Sequence, residues 1–328
     1  MKTAFAGAVA CVAMTMGPAL SADLPTKSPL THISDVTGYF EMSGLAMTRS
    51  KSDSVPLFST AAALGSGDIM RGDQFNMGWA GGAEARGVLK KGPWGVEFAW
   101  FFMGNFDDTV NFPNSQGITQ AAINTTPPTG YGLGGAHLSF NYISGIIGAE
   151  ANGTWDVARG VTLLAGPRYI KLHEDFSARG ISNASGATFE IDQWKVHNSL
   201  LGGQIGARID FLKAFGQMGS PWILEGNVRG GVFNNQINST VSATGNLQSA
   251  GDFSSTAYAV QGGVGIGYRL NSNIALILAY DALWLDGVAL APSQVPVSPQ
   301  FFTAGQQGLA TESVLYQGAK LTLRVTGN

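Results

Sequence analysis

Acidic and basic side chains recur in this sequence at alternate positions, not in runs. Glu41, Glu84, Glu97, Glu150, Asp210, Glu225 and Asp281 supply the acids, and Arg86, Arg168, Arg208, Arg229, Arg269, Lys320 and Arg324 the bases. Most sit among Gly and Ala on one side of an alternating pattern whose other side is large and apolar. A matched set of acids and bases on one face predicts a network of Arg–carboxylate pairs, because the planar guanidinium can donate two parallel hydrogen bonds to one carboxylate. Such a network either lines a hydrated constriction and sets ion selectivity, or closes the space with mutually satisfied charge. The near-equal balance of signs favours closure.

A second constellation could do acid–base chemistry. His173, Glu174 and Asp175 close one apolar–polar segment, and Asp192 and His197 flank the start of the next. Two imidazoles with nearby carboxylates at one rim would suit an outer-membrane hydrolase with a general acid–base site. No Gly-x-Ser-x-Gly element, zinc-ligand spacing or phosphate loop accompanies them. Gly262 to Gly267 superficially resembles a nucleotide loop, but no helical pattern follows it. The expectation is therefore no catalytic residue, no cofactor and no metal site. A third class, an adhesin or receptor acting through its loops, has only the polar composition of 236–251 and 291–307 behind it, which is ordinary for exposed loops.

The elements that must position these residues read as strands. Period-two alternation marks a strand with two different faces. Val96, Phe98, Trp100 and Phe102 oppose Gly95, Glu97 and Ala99; Phe75, Met77 and Trp79 oppose Asn76, Gly78, Ala80, Glu84 and Arg86. Leu201, Ile205, Ala207 and Ile209 oppose Gln204, Arg208 and Asp210, and Val264 and Ile266 oppose Gln261, Gly263, Gly265 and Arg269. Leu276, Leu278 and Tyr280 oppose Ala279 and Asp281, and Leu321, Leu323 and Val325 oppose Lys320, Thr322 and Arg324. The spacing predicts ten strands near 36–50, 73–88, 94–106, 134–153, 160–175, 194–212, 221–236, 253–270, 273–287 and 312–326. In the fourth, Tyr142 and Ile146 share parity with Glu150 and Asn152, which predicts a bulge and a change of face.

Connections alternate in length. Short links at 90–93, 156–160, 213–220 and 271–273 separate long ones at 51–72, 107–133, 176–193, 237–252 and 288–311. Short turns at one end and long loops at the other is the layout of outer-membrane barrels, and it puts both termini on the short-turn, periplasmic side. Aromatic residues fall where two interfaces would lie: Phe40, Trp94, Trp155, Trp222 and Tyr268 at one level, Tyr169, Tyr280 and Trp284 at the other.

Composition agrees. Charged residues are 12% of the chain against about 25% in soluble proteins, and Gly is 45 of 328. Lys2, the apolar stretch Ala4 to Met16 and the small residues Ala19, Ser21 and Ala22 predict a signal peptide over 1–22, cut after Ser21 or Ala22. A periplasmic linker over 23–35 and a barrel over 36–328 follow. The single Cys11 lies in that signal, so the exported chain has no disulfide. Formal charge is −3, basic residues are unclustered, and nucleic acid is not an expected partner.

Two stretches resemble a known family. Gly145 to Trp155, continuing into Leu163 to Asp175, is similar to the central hairpin of a family of bacterial outer-membrane β-barrel proteins known from planctomycetes and other Gram-negative bacteria. The family is related to the Legionella-type pore-forming major outer-membrane proteins. Leu278 to Gln294 resembles its penultimate strand and following loop. The resemblance implies an outer-membrane barrel, pore-forming in some members, and assigns no catalytic residue.

The reading is an all-β, antiparallel up-and-down transmembrane barrel of about ten strands, within a range of eight to twelve. It is exported to the bacterial outer membrane and is structural or weakly pore-forming. Its partners are outer-membrane lipid and ions or small solutes, and it is a monomer. Ten strands imply a narrow lumen, since open channels belong to larger barrels. The inward Gly78, Ala80, Gly82, Gly202, Gly206, Gly263, Gly265 and Gly267 would leave some space in it.

Overall fold

A computed structural model of the chain describes residues 36–60, 68–115, 118–120, 136–182, 188–243, 246–297 and 308–327. The expected signal peptide and linker lie outside the described residues. Ten strands close into an antiparallel barrel: β1 (Val36–Arg49), β4 (Trp79–Lys91), β5 (Trp94–Ser115), β7 (Ala136–Ala158), β8 (Val161–Ser182), β9 (Thr188–Asp210), β10 (Trp222–Ala243), β11 (Asn246–Arg269), β12 (Ile274–Val288) and β13 (Glu312–Gly327). Each pairs with its neighbour in sequence, and β1 pairs with β13 through Gly38 opposite Gly327. Closure leaves no strand edge, which is the condition for a sheet to cross lipid. No helix among the described residues is long and apolar enough to cross a membrane.

All ten expected strands are present, and the six strands β5 and β7 to β11 that border long loops are the longest. Segments expected as loops, 107–115, 176–182, 188–193, 237–243 and 246–252, continue the ladder instead. Their alternation persists, but with polar residues outside, so the sequence signal for a lipid-facing strand ends before the strand does. In the long loops, β2 (Pro56–Thr60), β3 (Asp68–Arg71) and β6 (Ile118–Gln120) form a small separate sheet. Two short α-helices, α1 (Phe211–Ala214) in the turn between β9 and β10 and α2 (Ala291–Gln294) after β12, and a 3-10 turn at Gly72–Gln74 complete the described elements.

The outer wall is apolar. Ile205 is 72% exposed, Leu201 62%, Val264 61% and Met42 61%, on the face opposite the charges. In water such a belt would cost heavily, whereas in hydrocarbon it is the matched surface. Trp94 stacks on Trp155 with ring centroids 5.3 Å apart near the short turns, and Trp222 meets Tyr268 edge-on at 5.2 Å.

Two local expectations are corrected. Phe75 and Met77 do not share a face with Trp79: they are buried, whereas Trp79 is exposed. Gly78 has φ +62, a left-handed conformation that glycine adopts without strain, and it reverses the alternation before β4 begins. The change of face expected in β7 is absent. Tyr142, Ile146, Glu150 and Asn152 all belong to the inner face, with Tyr142 and Ile146 buried there beside other apolar groups. The bulge lies on β5, where Met103 to Phe106 spans three steps against two on β7.

Candidate functional site

Among the described residues most of the buried charged side chains lie in the interior, which divides by height. Towards the short turns, β1, β4, β5, β7, β8, β9, β10 and β13 all turn charged residues inward. Arg86 lies 2.8 Å from Glu84, 2.9 Å from Glu97 and 3.5 Å from Glu41. Lys320 adds a second contact to Glu84 at 2.7 Å. Glu97 also pairs with Arg208 across the lumen, and Arg208 donates to the Tyr39 hydroxyl at 2.5 Å. Arg324 bridges Glu41 at 2.6 Å and Glu225, on the far wall, at 2.8 Å. Glu150 pairs with Arg229 and lies 3.6 Å from Arg168, which donates to Gln261 at 2.8 Å.

Eleven of the fourteen charged positions singled out in the sequence therefore meet one another. The other three do not join them. Asp210 caps α1 by accepting from the Lys213 backbone N–H at 3.1 Å, and its carboxylate also faces the Lys213 ammonium at 3.1 Å. Arg269 donates to the Ser220 carbonyl at 3.0 Å, in a turn. Asp281 is buried and accepts from Gln261 at 3.3 Å.

Uncharged residues that sequence reasoning passed over join the pairs into one belt. Gln204 donates to Glu150 at 2.9 Å and to Asn152 at 3.0 Å, and Asn152 donates to Glu97 at 3.4 Å. Their inward parity was a visible signal, but an isolated amide on a strand has no distinctive spacing. The belt is nearly dry: Arg86, Glu97, Arg168 and Arg229 are all buried. Below it a vestibule of about 380 Å³ opens among Tyr39, Arg208, Glu225 and Arg324 at the short-turn end.

The inward glycines do not hold a channel open. A Cβ at Gly206 would lie 2.5 Å from the Val228 carbonyl, one at Gly263 2.7 Å from the Asp281 carboxylate, and one at Gly267 2.7 Å from Ile277. Strand coiling has already spent the space that their missing side chains would leave.

Towards the long loops the interior is mostly apolar, with the buried ion pair Arg49–Glu174 set in it. Leu138, Phe140, Ile170, Leu172, Phe176, Trp194, Val196 and Leu200 are buried inward from β7, β8 and β9. Phe176 packs edge-on to Phe75 at 5.7 Å and lies 5.5 Å from Trp194. The segment Val288 to Val295 fills the remaining space, every one of its residues being buried. Gly287, at φ +73, turns the chain inward from β12, and a Cβ there would lie 2.5 Å from the Thr256 carbonyl. Asn198 then clamps the segment from both sides, donating to the Ala289 carbonyl at 2.7 Å and accepting from its N–H at 2.8 Å. Asn235 donates to the Gly287 carbonyl at 3.1 Å and to Asn198 at 3.0 Å. Gln294 anchors the far end by donating to the Ala310 carbonyl at 2.7 Å.

The rim set of acids and histidines is divided between the two faces, with Asp175 the one acid of the set on the side of the histidines. On a strand, adjacent residues point to opposite faces, so Glu174 turns inward while His173 and Asp175 turn outward. Glu174 pairs with Arg49 at 3.2 Å and accepts from Ser144 at 2.6 Å and from Tyr142, all inside the barrel. His173 and His197 meet on the outer wall, rings 4.6 Å apart and Nδ1 atoms 3.1 Å apart. Asp192 is buried on the inner side. Among the described residues no group of three or more His, Cys, Asp or Glu could hold a metal ion.

No family model and no curated protein matches the sequence. Solved structures similar to it are bacterial outer-membrane barrels. The outer membrane protease OmpT from Escherichia coli is 8% identical, with a TM-score of 0.43 over 89% of this chain and 96% of that one. The translocator domain of the autotransporter NalP from Neisseria meningitidis is 10% identical, with a TM-score of 0.39 over 90% of each. Neisserial surface protein A is 10% identical, with a TM-score of 0.30 over 88% of this chain and 96% of that one.

Proposed function

We propose that this chain is a bacterial outer-membrane barrel whose lumen is closed at rest, a structural wall protein that conducts weakly at most. The observation that carries the reading is the double closure. The buried Val288 to Val295 segment, held by Asn198 and Asn235, fills the extracellular half, and the cross-lumen ion pairs fill the half beneath it. The apolar outer wall supports placement in lipid, and both ends of the barrel chain lie on the short-turn side, as in periplasmic termini. The family suggested by 145–175 and 278–294 is the one to which we assign it. In this reading the chain is an exported monomer, its permeants, if any, are ions or small solutes, and it performs no catalysis.

Planar-bilayer recording of the mature protein tests the proposal. The expected result is a near-zero baseline, with conductance appearing when Asn198→Ala and Asn235→Ala release the inserted segment together with Arg208→Ala in the belt. A large, steady conductance in the unsubstituted protein would overturn closure. The second reading, a rim hydrolase, has less behind it because the pleat separates Glu174 and Asp192 from His173 and His197 and leaves on their face Asp175, which Gln193 already engages. Peptidase or lipid-hydrolase activity that vanishes in a His173→Ala/His197→Ala variant would restore it.

A further inference from the structure

The outer wall carries one sector of unpaired positive charge, and it sits just above the apolar belt on β8 and β9. Tyr169 and Leu201 face each other across these strands at the upper edge of the belt, 39% and 62% exposed. The next outward pair is Lys171 opposite Ser199, then His173 opposite His197, then Asp175 opposite Lys195. Gln193 occupies Asp175, donating at 2.9 Å to each of its carboxylate oxygens. Among the described residues neither Lys171 nor Lys195 is drawn into an ion pair. One imidazole of the histidine pair must be neutral to accept at Nδ1, and its Nε2–H stays free to donate outward.

Height decides what meets this sector. Two residues of strand advance about 6.6 Å, so at a tilt near 45° Lys171 stands about 5 Å above the last lipid-facing pair, the histidines about 9 Å, and Lys195 about 14 Å, from where its long stem reaches back towards the headgroups. The headgroup layer occupies about 5–8 Å beyond the hydrocarbon core. Lysine stems lie along the wall and carry their ammonium groups into that layer. Positions that continue this register on the neighbouring strands are uncharged or acidic: Ile147, Gly145 and Ile143 on β7, Gln236, Asn238 and Thr240 on β10, and Ser254 and Asp252 on β11. Positive charge is thus concentrated where one face of the wall passes the outer-leaflet headgroups.

We propose that Lys171, Lys195, His173 and His197 form a docking site for the phosphate-bearing headgroup of an outer-leaflet lipid. The two ammonium groups supply charge, and the histidine pair supplies a directed N–H donor between them. The inference rests on the outer-membrane reading for the presence of lipid but is independent of whether the lumen is open.

The mature protein is folded into phosphatidylcholine vesicles containing diphosphorylated lipid A, extracted in mild detergent, and assayed for lipid A retained per barrel. Insertion itself is checked by heat-dependent gel mobility in vesicles of phosphatidylcholine alone. Failure to insert there refutes the membrane-barrel reading, not the docking site alone. The expected result is a roughly tenfold or greater loss of retained lipid A in Lys171→Gln/Lys195→Gln/His173→Gln/His197→Gln, and a similar loss when the unsubstituted protein meets dephosphorylated lipid A. Lys91→Gln at the opposite rim should change nothing. If the fourfold variant misfolds, Lys171→Gln alone should still lower retention by about threefold. Equal retention by variant and parent, or no preference for the phosphorylated lipid, overturns the proposal. Full displacement of lipid A by millimolar inorganic phosphate would show a site for the free anion, and would overturn the lipid assignment.

Discussion

Near the short turns β5, β7, β8 and β9 point Glu97, Glu150, Arg168 and Arg208 into the barrel; nearer the long loops the same strands point Phe106, Phe140, Phe176 and Trp194 into it. On β7, β8 and β9 backbone, parity and pairing are continuous across the boundary, and on β5 the bulge between Met103 and Phe106 shifts parity by one; otherwise only the chemistry of the inward side chain changes. The two halves fill the interior by different physics. In the charged half each group depends on named partners, because a buried charge that loses its partner retains its full desolvation cost. In the apolar half the filling is cumulative, spread over many contacts that are individually weak. The ion-pair half should therefore fail at single residues, and the apolar half in proportion to the volume removed.

The sharpest way to break the comparison is Arg86→Ala, which strips a partner from Glu41, Glu84 and Glu97 at once. We expect a loss of about 3–5 kcal/mol in urea unfolding from detergent micelles, together with increased conductance. A loss below about 1 kcal/mol would mean that the belt is hydrated and behaves like exposed ion pairs. In the apolar half, Phe176→Ala should cost a comparable 3–5 kcal/mol by leaving a cavity among Phe75, Phe140 and Trp194, but conductance should stay near baseline while the belt is intact.

On the outer wall, Ile205→Arg places a charge in the lipid-facing belt and should cost about 2–4 kcal/mol in vesicles. The same position labelled as cysteine should resist a membrane-impermeant reagent; strong labelling would show that Ile205 faces water. Asn198→Ala leaves the Ala289 N–H and carbonyl without their partner, so the expected cost is about 1–3 kcal/mol, accompanied by protease sensitivity within 288–297. The smallest effect belongs to Arg269→Ala. Its one bond is to the Ser220 carbonyl in a turn, so a change of about 0.5–1.5 kcal/mol without altered conductance is expected. A loss as large as that of Arg86→Ala would place Arg269 in the belt after all.

The sequence by itself determined the strands and their faces. Period-two alternation is a local property, so Val96 to Phe102, Leu201 to Ile209 and Leu276 to Tyr280 could be assigned outward without knowing any partner. The spacing of the turns likewise set the order and the direction of each strand. Local pattern also contained the separation of His173 from Glu174, since neighbours on a strand cannot share a face; reading them as one rim cluster overlooked that constraint. What fills the interior was decided only by the tertiary structure. Glu97 finds Arg208 and Arg324 finds Glu225 across the barrel, and which residues meet there depends on the stagger of closure, which no single strand encodes. The apolar residues Val288 to Ala291 stood visible in what reads as an exposed loop, yet their burial needed Gly287 to turn the chain inward and Asn198, far away in sequence, to receive it. Tyr142 and Ile146 looked like a change of face for the same reason: the inner surface of this barrel is polar at one end and apolar at the other, and alternation reports that two faces differ, not what either face meets.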